Sequence, residues 1–103
     1  MKAVWALRAK ESKSKVAAYI RKEFGNQRAK KFRQDINNTI ALLLSSPCIV
    51  QIDPLFEGRA KTYRSVIVNG LSKMVYYIED DIIHIAAFWD TRMEPEEQAA
   101  KVK

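Results

Sequence analysis

Few side chains here are suited to chemistry. The chain has one histidine, His84, and one cysteine, Cys48. They are remote in sequence and no local motif links them, so Cys48 reads as a small buried hydrophobe rather than a nucleophile. One His, one Cys and no clustered carboxylates exclude the usual metal-ligand sets. There is no glycine-rich phosphate loop, and no cofactor is expected. What remains is cationic. Arg64, Lys73 and Arg92 lie in or just after three strand-like runs, with Arg59 and Lys61 leading into them. By residue type alone these are solvated cations, with Glu79 and Asp90 as ready counter-ions. A lone histidine on a strand is more often structural than functional.

The runs that would position these residues are Tyr63–Val68, Leu71–Ile78 and Ile82–Trp89. All are rich in β-branched and aromatic residues. Asn69-Gly70 separates the first two and is the strongest short hairpin signal, because a type I′ turn needs positive φ at both central positions. Glu79-Asp80-Asp81 suits a second tight turn. Two-residue loops at Asn69-Gly70 and Asp80-Asp81 predict that Val66 faces Lys73, Arg64 faces Val75 and Tyr77 faces His84. Faces alternate along a strand. One face then carries Tyr63, Ile67, Met74, Tyr76, Ile78, Ile83, Ile85, Ala87 and Trp89, an apolar set fit for a core. The other carries Arg64, Val66, Lys73, Val75, Tyr77, His84, Ala86 and Phe88. A one-residue slip in either turn would exchange faces.

At 103 residues and 48% hydrophobic, the chain reads as a single domain, 1–103, with one modest core. No apolar run approaches membrane-spanning length and no secretory segment follows Met1. With the single cysteine this points to a reducing, cytoplasmic setting. Charge is uneven. Residues 1–34 hold 11 Lys/Arg against 2 Asp/Glu, so +9; the rest is −3, for a net +6. That basic third is either a solvated helical surface or a contact surface for a polyanion or acidic partner.

Ala3–Leu7 is short and apolar and predicts a first strand joining the meander. Ala9, Val16, Ala17, Ile20 and Phe24 recur at helical spacing, as do Ala29, Phe32, Ile36, Ile40, Leu43 and Leu44. Gly25 should end the first helix in the left-handed conformation, and Asn26 can cap the second. Pro47 stops the second helix. Residues 47–62 are irregular, and 93–101 could start a short helix or fray. The order β-α-α-β-β-β gives an α+β fold of two layers, an antiparallel αα-hairpin packed on a four-stranded, mainly antiparallel sheet. The second sheet face should stay partly open.

Element order, the Tyr63-Arg64-Ser65 start, the Lys73-Met74-Val75-Tyr76-Tyr77 strand and the closing Asp90-Thr91-Arg92-Met93-Glu94-Pro95 together resemble the RelE/ParE superfamily. The resemblance runs from Val4-Trp5 to Pro95. It implies a toxin of a bacterial type II toxin–antitoxin module, of the kind called plasmid stabilisation proteins. Such toxins inhibit DNA gyrase or cleave mRNA in the ribosomal A site, and a cognate antitoxin neutralises them. A third possibility is a non-toxic binding module of the same fold.

The resemblance also implies site residues. In ribonuclease members a basic cluster stabilises the phosphoryl charge during attack by the 2′-hydroxyl. Arg64, Lys73 and Arg92 match those positions, with Arg59 or Lys61 at the edge. Such members commonly carry Tyr or His near the C-terminus for proton transfer, and Met93–Lys103 has neither. His84 or Tyr77 would have to serve as acid–base group. The departure favours the ParE-like, gyrase-binding branch. An acidic, partly disordered antitoxin is expected on the open face through Arg64, Val66, Val75, Tyr77, Phe88 and Arg92, with self-association (a homodimer) as another way to cover it.

Overall fold

The computed structural model describes residues 1–48, 50, 52–70 and 72–90. Strand β1 spans Lys2–Trp5, helix α1 Leu7–Phe24 and helix α2 Asn26–Ser45. A short 3₁₀ turn, Pro54–Phe56, precedes β2 (Arg64–Val68), β3 (Ser72–Glu79) and β4 (Ile82–Asp90). The sheet order is β1-β4-β3-β2, with β1 parallel to β4 and the other pairs antiparallel. The expected α+β architecture is thus the observed one. The segment 93–101 lies outside the described residues.

Both helices cover one sheet face. Ala9, Phe32, Ile36 and Leu43 are at most 1% exposed and join Val68, Met74, Tyr76, Ile83, Ile85 and Phe88 in the main core. Gly25 alone connects the helices. Its φ of 95° is positive as expected, but ψ is 172°, so the backbone is extended rather than left-handed helical. That region is open essentially to glycine alone. Asn26 is already the first residue of α2 and makes no side-chain cap. A Cβ on Gly25 would meet nothing within 4 Å, so Gly25→Ala should lose stability through backbone strain alone. The expected loss is about 1–3 kcal/mol, measured by denaturant unfolding.

The turns decide which residues face which layer. At Asp80-Asp81 both φ values are positive and Glu79 pairs with Ile82, the two-residue loop expected. At Asn69-Gly70 both φ values are again positive, but Val68 pairs with Ser72, one residue later than a two-residue loop gives. The slip turns β2 over. Val66 and Val68 now face the helices, whereas Ile67, expected in the core, is 53% exposed. Burial of Val68, 1% exposed, at the helical layer is what this register gains. A second shift lies in β3–β4. Tyr76 pairs with Ile85 and Val75 with Ala87, so Ala86 is an extra residue, a β-bulge. Beyond it β4 changes phase. Phe88 enters the helix-side core, and Ala87 and Trp89, expected there, cross to the other face.

That other face is not left open. The segment from Asp53 to Tyr63 folds over it. Phe56 and Tyr63 form a second buried cluster with Val75, Ala87 and Trp89. Phe56 sits edge-on to Tyr63, ring centroids 5.6 Å apart. The expectation that this face stays partly open missed a 3₁₀ turn carrying one large aromatic. Cys48, expected to be buried, is exposed.

Candidate functional surface

Three separate places hold the residues singled out from the sequence. Arg64 opens β2 and pairs with Tyr76, which faces the helices. Its Nη1 donates to the Val50 carbonyl at 2.6 Å. Beside it the buried Tyr76 hydroxyl donates to the Pro47 carbonyl at 2.9 Å, and burial holds that phenol above its usual pKa. Together these bonds tie the chain after α2 to the sheet.

Lys73 lies on the opposite face, paired across the sheet with Ile67 and Trp89. Its ammonium is 2.7 Å from Asp53 Oδ2, with the side chains 15% and 9% exposed. Ser65 Oγ donates to the same oxygen at 2.5 Å, and the Leu55 amide donates to Oδ1 at 2.9 Å. Asp53 thus caps the Pro54–Phe56 turn and anchors it to β2 and β3. Burial pushes the Asp53 carboxyl up, but the bonds from Lys73, Ser65 and Leu55 and the Lys73 charge outweigh it, so its pKa is lowered. A lowered folded pKa gives stability that is complete above the ordinary value of 3.8 and lost as pH falls through the folded value. Asp53→Asn should therefore flatten the acid limb of a stability–pH curve below about pH 4 and leave the neutral limb parallel to the parent's.

His84 and Tyr77 form the third place. Their rings stack at 4.7 Å with 7° between planes. Tyr63 meets Tyr77 edge-on at 5.6 Å, and Lys61 Nζ lies 5.3 Å from the Tyr77 centroid. Lys61 also pairs with Glu79, which raises the lysine's pKa and lowers the glutamate's. Both partners are solvated, so the pair adds little stability. Lys73 is four residues from Tyr77 on β3, roughly 13 Å at about 3.3 Å per residue. A cleft of about 410 Å³ lies within the covering segment itself, lined in part by Ile52, Phe56, Arg59, Lys61 and Tyr63, and neither Lys73 nor Tyr77 lines it.

Arg64, Lys73 and the Tyr77–His84 stack therefore do not converge on one reacting atom. The expected sharing of a face by Arg64 and Lys73 fails because the β2 register is one residue off. Of the expected contact residues, Val75 is fully buried under the 3₁₀ segment, Val66 packs toward the helices, and Phe88 is core, 1% exposed. Tyr77 is half-buried on the outer face. Arg92 lies outside the described residues. The residue that sequence reading missed is Asp53. Its signal was present in Asp53-Pro54, since Asp before Pro opens turns by bonding the amide two residues on.

The fold and these dispersed polar sites define a small α+β protein whose predicted cations do not gather into a catalytic cluster among the described residues. A model of the ParE toxin of the type II toxin–antitoxin system parDE matches residues 3–95. The chain belongs to the ParE toxin family. Its backbone is similar to a chain of the chromosomal ParDE TA system from P. aeruginosa, with a TM-score of 0.70. The match has 15% identity and covers 87% of this chain and 95% of that one. No curated protein matches in sequence. Among the described residues no helix is long and apolar enough to cross a membrane.

Proposed function

We propose that this chain is a toxin that binds and inhibits DNA gyrase and is neutralised by a cognate antitoxin. The observation that carries the reading is the family match over residues 3–95. Two features of the chain weigh against a phosphodiester-cleaving alternative. Arg64 and Lys73 occupy opposite sheet faces, and Met93–Lys103 offers no Tyr or His for proton transfer. Inhibition by binding needs no such group. The antitoxin is acidic and partly disordered, drawn by the +9 N-terminal third. With Phe88 and Val75 buried, its apolar contacts shift to the rim of the sheet, where Ile52 and Ile67 are each 53% exposed. Strand β2 is the sheet's edge, bridged only at Arg64 by Ile52 among the described residues, so its remaining backbone groups can accept an added strand.

Inducing the gene alone should stop division, with filamentation and DNA damage, and co-inducing the neighbouring antitoxin gene should restore growth. Unimpaired growth on induction would refute toxicity. Immediate arrest of protein synthesis without DNA damage would refute the target.

A further inference from the structure

The outer surface of the helical hairpin carries the charge that draws the antitoxin, but no contact is placed on it above. Helices α1 and α2 carry ten Lys/Arg against Glu11, Glu23 and Asp35. A groove of about 280 Å³ is lined by Lys13, Ser14, Ala17, Ala18 and Arg21 of α1 and by Arg33 of α2. Arg21 and Arg33 are exposed. Among the described residues neither is joined to a carboxylate, unlike Lys31, Lys61 and Lys73, which pair with Asp35, Glu79 and Asp53.

We infer that this groove binds the phosphate backbone of duplex DNA. A protein partner would need apolar anchors, and the lining holds no large apolar side chain. The exposed Leu7, Tyr19, Phe24 and Leu42 are not part of it. Only an electrostatic contact is offered, of the kind that positions proteins on nucleic acid without reading sequence. Lys13 and Arg21 are eight residues apart on α1, about 12 Å at 1.5 Å per residue. That spacing lets the two side chains meet different phosphates of one strand. The choice of duplex DNA over other polyanions rests on the gyrase reading, since DNA is what a gyrase acts on. The test uses no gyrase, so failure of the groove and failure of the target are separate results.

The experiment is fluorescence anisotropy of a labelled DNA duplex of arbitrary sequence, titrated with the purified full chain at several salt concentrations. Three neutralised phosphates predict a slope of log K against log salt near about −2.7. The double variant R21E/R33E should lose at least about tenfold in affinity and flatten the slope. The double variant K15E/K22E makes the same change of charge on exposed positions outside the groove and should lose much less. All four positions are exposed, and a thermal melt confirms folding; R21Q/R33Q replaces the reversal if the melt shifts, with the same ordering expected. Equal losses in both pairs would mean diffuse charge and overturn the proposal. So would absence of binding at low salt, an RNA duplex of equal length binding tenfold tighter, or R21E/R33E weakening only the antitoxin complex.

Discussion

Phe88→Ala should lower the free energy of unfolding by about 3–5 kcal/mol, and Ile67→Ala should change it by less than about 0.5 kcal/mol. Phe88 lies between layers. Its ring is 6.1 Å from Trp5 on β1 and 5.9 Å, edge-on, from Phe32 on α2. Truncation would leave a cavity at the junction of strand and helix, which neighbours fixed on separate elements cannot fill. A domain of this size is stable by only about 5–15 kcal/mol, so the variant should unfold at much lower denaturant. Ile67 is half in water and loses little. The pair also tests the register. Had both turns held two residues and no bulge intervened, Ile67 would be core and Phe88 exposed, and the two effects would exchange.

Lys73→Met should cost a similar amount, about 3–5 kcal/mol, because it strands the Asp53 carboxylate in a site from which water is largely excluded. The second variant decides between a structural and a catalytic lysine. Lys73→Met with Asp53→Asn removes both charges, keeps Oδ1 as acceptor for the Leu55 amide while Nδ2 donates to the Ser65 hydroxyl, and should recover most of the loss. Toxicity of this double variant, once folding is confirmed, should match the parent's. A stable, folded double variant without toxicity would make Lys73 a functional residue and contradict the role described for it.

The architecture was legible in the sequence because its signals are local. Stripes at helical spacing set both helices to within a few residues, and paired positive-φ signals marked both turns. The faces were less legible, and for a definite reason. Turn chemistry reports that a chain reverses at Asn69-Gly70, but Val68 pairing with Ser72 rather than with its nearer neighbour is settled by which residues the helices can bury. The Ala86 bulge leaves no local mark either, since Ala86-Ala87-Phe88-Trp89 is apolar on both phases. Each event moves alternate residues by one face, so Arg64, Val66 and Phe88 all changed sides together while β3 and the first half of β4 stayed as expected. The candidate site inherited that error directly. The Asp53–Lys73–Ser65 anchor joins residues distant in sequence, and only the tertiary fold brings them together.

The most direct measurement is gyrase supercoiling of relaxed plasmid in the presence of the purified chain, with and without its antitoxin. Inhibition that rises with toxin and disappears when antitoxin is added is the predicted result. Supercoiling that proceeds unchanged, while the same preparation cleaves mRNA on translating ribosomes, would contradict the assignment.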